Sequence, residues 1–175
     1  MHFIATRLDG AYIVEPEPHE DNRGLFARTY CAREFREAGL VDAFVQCNTS
    51  WNARKGTIRG LHYQISPSSE VKLVRCTAGA LWDVIVDLRP ASSTYLQHFA
   101  VELTTRNRLG LYIPAMFAHG FQALEDTTEV FYQMSDFYTP KLSRGIRYND
   151  PKLGISWPIP LTSISDQDLS WPSLE

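Results

Sequence analysis

Several common signatures are missing from this chain. It has no glycine-rich phosphate loop, no zinc-ligand spacing and no G-x-S-x-G elbow, which sets aside the usual sequence marks of P-loop hydrolysis, structural zinc and serine hydrolysis. Cysteine is scarce. Cys31, Cys47 and Cys76 are odd in number and lack metal-ligand spacing, so they read as packing residues in a reducing compartment rather than as disulfides or activated thiols. No apolar run approaches the length of a membrane span, and the opening MHFIATRLDG lacks the charged and apolar regions of a signal peptide. The expectation is a cytoplasmic protein with no membrane partner. Charge of one sign is also missing: 17 Lys and Arg are interspersed with 20 Asp and Glu for a net −3, which leaves no basic footprint for nucleic acid. A small anionic ligand remains compatible with that balance.

What is present is a succession of short apolar blocks. At 175 residues and 44% hydrophobic, with no low-complexity stretch, residues 1–175 make one domain with a sizeable core. FIATRL, AYIVEP and LFARTY read as strands, the last two separated by a turn at HEDNRG. Arg33 to Leu40 is the clearest short helix, with Gly39 near its end. AFVQCNTSW, HFAVELTT, RLGLYIPAMFAHGFQALE and EVFYQMSDFY continue the strand pattern. VKLVRCTAGALWDVIVDLRP predicts two strands around a turn from Thr77 to Gly79, stopped by Pro90. In the first, Lys72, Val74 and Cys76 share a face; in the second, Trp82, Val84 and Val86 lie opposite Asp83, Ile85 and Asp87. Some ten strands with almost no helix predict an all-β jelly-roll sandwich or barrel, with short helices and an irregular, proline-rich C-terminal segment from Tyr148 to Glu175.

The stretch KGTIRGLHYQ, Lys55 to Gln64, sets Arg59 and His62 into an apolar strand. An imidazole near neutral titration beside a guanidinium suits proton movement and anion binding. Period-2 alternation would send the two to opposite faces, and Gly60 between them marks a possible bulge that re-aims one. Lys72, Arg75, His119, Tyr132 and Tyr138 are further polar residues in apolar runs. Burying so many is expensive unless they converge on each other or on a ligand, as in a polar-lined cavity. A metal-holding jelly roll would carry two His separated by one residue; around His62 those places are Gly60 and Gln64, so no metal is expected. Without metal or cofactor, the chemistry open to His, Tyr and Lys is proton transfer at carbon beside a carbonyl.

The segments DNRGLFARTY, FVQCNTS, RGLHYQ, KLVRC, DVIVDLR, YIPAMFAHGF, FYQMSDFY and YNDPKLGISWP closely resemble the dTDP-4-dehydrorhamnose 3,5-epimerase family, in order and spacing over nearly the whole chain. The resemblance implies a cupin-type jelly roll, a homodimer with exchanged strands, no cofactor, and epimerisation of a nucleotide-linked 4-keto-6-deoxyhexose. It implies His62 as general base, Tyr132 as general acid, Asp168 as the carboxylate orienting the base, and Lys72 as stabiliser of an enolate oxygen. Asp166 is a near rival to Asp168 in a segment whose register the sequence leaves open. It further implies Arg23, Gln46, Asn48, Arg59 and His119 as holders of the diphosphate, base and sugar, with Tyr138 as a stacking face. The chain departs from the family pattern at Arg28 and Ser143, where members carry acidic groups that help recognise the nucleotide. The alternatives are a nucleotide-sugar ketoisomerase, a sugar-binding cupin without activity and, lowest in rank, a metal-dependent oxygenase.

Overall fold

In the computed structural model, which describes residues 1–68 and 70–174, thirteen strands and two short α-helices follow one another. The strands are β1 His2–Ala5, β2 Tyr12–Glu15, β3 Pro18–Asp21, β4 Gly24–Ala27, β5 Gln46–Asn52, β6 Ile58–Gln64, β7 Lys72–Ala78, β8 Ala80–Asp87, β9 His98–Thr104, β10 Gly110–Ile113, β11 Phe117–Ala123, β12 Thr128–Met134 and β13 Ser143–Gly145. Helix α1 spans Ala32–Glu37 and α2 Asp166–Ser170. One antiparallel sheet runs β1-β2-β10-β7-β12-β5, a second β13-β6-β11-β8-β9, and β3-β4 form a separate hairpin. This is the jelly roll that the strand pattern predicts.

Alternation along each strand builds three apolar layers. Val74, Leu111, Ile113 and Val130 of the first sheet meet Leu81, Ile85, Leu103, Phe117 and Phe121 of the second to form the central core. Each such side chain, fully buried, contributes about 1.5–3 kcal/mol of transfer free energy. The odd-numbered neighbours on β7 and the even-numbered ones on β8 face outward and need their own cover. Phe35 of α1 covers Val14, Leu73 and Tyr112 on one side. Ile146 and Leu153, with Ile155 and Trp157 against them, cover Leu61, Val84, Val86 and Ala118 on the other.

Three local expectations change. The segment around Gly79 is a corner and not a hairpin turn, because β7 and β8 belong to different sheets. Gly79 takes the bend at φ +73°, against Thr128. Four of the six residues of HEDNRG are strand, with the reversal reduced to Asn22 and Arg23 between β3 and β4. The C-terminal segment is not wholly irregular, since it contains α2, where the Ser165 hydroxyl accepts a hydrogen bond from the Asp168 N–H at 3.1 Å and caps the first turn. Glu175, the end of that segment, lies outside the described residues.

The bulge anticipated at Gly60 is present. β6 and β11 pair His62 with His119 and Arg59 with Phe121, so three steps on β6 match two on β11. The extra residue brings Arg59 and His62 to one face. Gly60 sits at φ +105°, and a Cβ there would lie 2.6 Å from the His119 carbonyl oxygen and 2.7 Å from Gly120 Cα. Both neighbours are backbone and cannot swing aside. Gly60→Ala should therefore destabilise the fold by roughly 1–3 kcal/mol, the range for a strained backbone position, read from the midpoint of denaturant unfolding. An unchanged midpoint would show that the bulge relaxes without the glycine.

Candidate active site

A cavity of about 310 Å³ opens between the sheets, lined by Asn48 of β5, Arg59 and His62 of β6, Lys72 of β7, His119 of β11 and Tyr132 of β12, among others. Inward parity on four strands and the β6 bulge together explain this convergence.

His62 is 44% exposed on its side chain, so it is reachable, yet it is anchored from behind. Its Nε2 lies 2.6 Å from Asp168 Oδ1. The carboxylate of Asp168 is held in turn: the Gly60 N–H donates to Oδ2 at 3.1 Å and the Trp171 indole N–H donates to Oδ1 at 3.2 Å. Burial alone would raise the Asp168 carboxyl, but its bonds from His62, Gly60 and Trp171 outweigh that and hold it below the usual aspartate range. Asp166, the rival in the sequence, is exposed in the same first turn. With Nε2 engaged by a carboxylate, Nδ1 is the nitrogen left to work on a ligand.

A second pair stands across β11. His119 Nε2 is 2.6 Å from Asp83 Oδ1, both side chains at 5% exposure or less, and the His119 ring meets the Tyr132 ring edge-on at 5.9 Å. Burial, reinforced by the charge of Asp83 and opposed by Arg59, pushes the Tyr132 phenol far above its ordinary range. The shift favours the protonated phenol, which carries an O–H that can be donated. Arg59 is oriented by Asn52, whose Oδ1 accepts from Nε at 2.8 Å, and by the Trp51 carbonyl. Lys72 Nζ lies 2.8 Å from Glu70 Oε2.

The other sequence candidates divide. Asn48 and Tyr138 line the cavity, and Gln46 sits behind them, donating to Asn48 Oδ1 at 3.3 Å and accepting from the Tyr138 N–H at 3.2 Å. Arg23 is outside the cavity of its own chain, at the tip of the β3-β4 hairpin, 85% exposed and paired with Asp21 at 2.6 Å. Arg28 lies near that hairpin, 2.7 Å from Glu34, whereas Ser143 is on the cavity wall. Sequence reading missed Asp83, Asn52 and Glu70 as parts of the site. Asp83 had a signal, an acid on the inward face of β8; Glu70 had one only in its spacing of two from Lys72. Among the described residues no group of three or more His, Cys, Asp or Glu is placed to hold a metal ion.

A family model described as dTDP-4-dehydrorhamnose 3,5-epimerase matches residues 5–175. The chain belongs to that family. It is 44% identical to the dTDP-4-dehydrorhamnose 3,5-epimerase of Methanothermobacter thermautotrophicus over 99% of this chain and 95% of that one. Among solved structures, the dTDP-4-dehydrorhamnose 3,5-epimerase of Elizabethkingia anophelis superposes with a TM-score of 0.95 at 38% identity, covering 99% of this chain and 96% of that one. A dTDP-6-deoxy-D-glucose-3,5-epimerase of Legionella pneumophila, solved with dTDP-4-keto-L-rhamnose, gives 0.91 at 38% identity over 97% and 90% of the two chains. The fold expected from the resemblance is thus the family's own cupin-type jelly roll.

Asp168→Asn should leave the packing in place while stripping His62 of its charge partner, and lower turnover by roughly 10²–10⁴-fold, the usual worth of a positioned acid or base. The same variant tests linkage. Asp168 has a folded-state pKa below its unfolded value, so its stabilisation is present above the unfolded pKa and is lost as pH falls through the folded one. The stability gap between wild type and Asp168→Asn should therefore close below about pH 4, the unfolded aspartate range, in denaturant titrations at several pH values. A gap that widened on acidification would contradict the anchoring role.

Proposed function

We propose that this protein epimerises a nucleotide-linked 4-keto-6-deoxyhexose, dTDP-linked by analogy with its relatives, at C3, C5 or both, in deoxysugar biosynthesis. The observation that carries the reading is the His62–Asp168 pair sharing one cavity with Lys72 and a protonated Tyr132. His62 Nδ1 takes the proton from the carbon beside the C4 ketone, and the C–H electron pair moves into the ring as an enolate. Asp168 stabilises the imidazolium, and the Lys72 ammonium stabilises the charge gathering on the ketone oxygen. The Tyr132 hydroxyl returns a proton to the opposite face of the carbon. The phenolate and imidazolium then reset by exchange with solvent. Apart from that exchange, each proton transfer uses a side chain of the protein. Arg59, Asn48 and His119 grip the nucleotide sugar, with Gln46 holding Asn48 in place and Tyr138 stacking at the rim. A ketoisomerase would need only one face served, so groups of opposite proton affinity, a free imidazole nitrogen and a phenol that keeps its proton, favour epimerisation.

We also infer a homodimer and a cytoplasmic location. The β3-β4 hairpin pairs with neither large sheet yet exposes Leu25 and Phe26, the latter 76% open, and edge strand β5 exposes Trp51 at 58%. An open edge and an apolar hairpin are liabilities that strand exchange with a second copy removes. Such an exchange would carry Arg23 toward the partner subunit's cavity, in keeping with its place outside its own. Three free cysteines suit a reducing compartment.

Two experiments test these readings. In deuterated buffer, NMR of a dTDP-linked 4-keto-6-deoxyhexose should show that His62→Ala abolishes both exchange at the carbon and inversion. Tyr132→Phe should keep exchange while inversion falls roughly 10²-fold or more, because the ring remains and only the donor is gone. Inversion at the wild-type rate in Tyr132→Phe would assign the acid elsewhere. Light scattering at working concentration should give twice the chain mass of 19.9 kDa; a monodisperse monomer would overturn the dimer.

A further inference from the structure

The cavity carries an acid where an anion-binding site has least use for one. Arg59 and Lys72 supply cationic side chains and His62 and His119 imidazoles, while Glu70 is the one carboxylate on the wall among the described residues; Asp168 and Asp83 stand behind the two histidines. Glu70 is buried, its side chain 4% exposed, with Oε2 at 2.8 Å from Lys72 Nζ. Its Oε1 is also buried and has no hydrogen-bond partner among the described residues. Leaving a carboxylate oxygen unsatisfied in the interior costs free energy, so its retention beside Lys72 calls for a compensating gain. The spacing is simple: Glu70 lies two residues before Lys72, where extended backbone turns both side chains to the same side.

We propose that Glu70 is a positioning residue for Lys72, fixing its ammonium in the cavity and preserving its charge while the enolate forms. The inference rests on Lys72 being the enolate stabiliser. A lysine stem has four flexible carbons and three N–H donors. One donor on Glu70 fixes the head group and leaves two for the ketone oxygen. An ammonium in a low-dielectric site gives up its proton more readily once its counter-charge is removed. The titratable and charged groups on the other elements around Lys72 are Arg59 and His62 of β6, His119 of β11, Tyr132 of β12 and Tyr138 beyond it. None brings a negative charge at neutral pH. Asp136, also beyond β12, is engaged by the Ser68 hydroxyl at 2.9 Å and the Phe137 N–H at 2.8 Å. Glu70 is left as the counter-charge in contact with the ammonium. Burial pushes the Tyr132 phenol upward, away from the alkaline range in which the variants are compared.

The experiment compares wild type, Glu70→Gln, Glu70→Asp and Lys72→Ala. For each, kcat, KM and solvent deuterium exchange are followed from neutral to alkaline pH with a dTDP-linked 4-keto-6-deoxyhexose. Glu70→Gln keeps the shape and loses the charge. Its alkaline limb in kcat should move to lower pH by roughly one unit or more, the effect of losing one close opposite charge, with KM little changed. Glu70→Asp keeps the charge but withdraws it by one methylene, so kcat should fall while the limb stays in place. A limb unmoved in Glu70→Gln would overturn the charge role, and wild-type kcat in Glu70→Asp would overturn the positioning role. If Glu70→Gln does not fold, the aspartate variant still decides: a limb displaced in it, or an unaltered kcat, sinks the proposal. Lys72→Ala separates the two levels. Wild-type exchange in that variant would remove the enolate role of Lys72, whereas loss of exchange there with unchanged Glu70 variants would refute only the role of Glu70.

Discussion

The Asp168 carboxylate is the constraint on which the site depends. Its two oxygens accept from the His62 ring, the Gly60 backbone N–H and the Trp171 indole, so one side chain from the C-terminal helix ties together the bulge, His62 and the end of that helix. Burial acting alone would raise the pKa of a carboxylate in that position. Three donors reverse the sign, and the same donors orient the imidazole. Because Gly60 is both the bulged residue and one of the donors, the feature that turns Arg59 and His62 to one face also fixes the group that polarises His62. Fold and chemistry meet at a single peptide N–H.

Electrostatics in the rest of the cavity follow one design. Asp168 stands behind His62, Asp83 behind His119 and Glu70 beside Lys72, so each proton-bearing cationic or imidazole group has its own acid at 2.6–2.8 Å. Arg59 is instead oriented by the neutral Asn52. A buried acid beside a group that is able to lose its charge stabilises the charged form; beside a guanidinium, which keeps its charge unaided, it would only cancel attraction for an anionic ligand. The phenol of Tyr132, with no acid bonded to it and only the field of Asp83 nearby, is pushed the other way and stays neutral.

Most of the architecture was legible because strand periodicity is local. The shared face of Val74 and Cys76, the shared face of Val84 and Val86, and a helix near Phe35 all follow from alternation and turn residues, while which face is inward appears only in the packed sheets. What was not legible depends on pairs far apart in sequence. Gly79 reads as a hairpin turn from its neighbours and becomes a corner only because β7 pairs with β10 and β12 while β8 pairs with β9 and β11. Helix α2 is five residues long in a proline-rich segment, too short for a periodic signal, and its existence rests on the Ser165 cap and on docking to His62. The choice between Asp166 and Asp168 is of the same kind, since two residues apart on a helix the side chains point in different directions and only the packed partner selects one. Glu70 was invisible for another reason. An acid two residues before a strand lysine is a weak pattern, and its meaning appears only when Lys72 and the acid-poor wall of the cavity are seen together.

The two departures from the family pattern fall at different distances from the chemistry. Arg28 pairs with Glu34 at the base of the β3-β4 hairpin, outside the cavity of its own chain, and Ser143 lies on the cavity wall at the start of β13, where its backbone pairs with Gln64 two residues beyond His62. Neither contacts Asp168, Asp83, Asn52 or Glu70, the groups that set the orientation and charge of the reacting side chains. Neither position carries an acid in this chain, and Arg28 lies away from the cavity. The charge at the hairpin and at the β13 end of the wall is therefore set apart from the acid pairs of His62, His119 and Lys72.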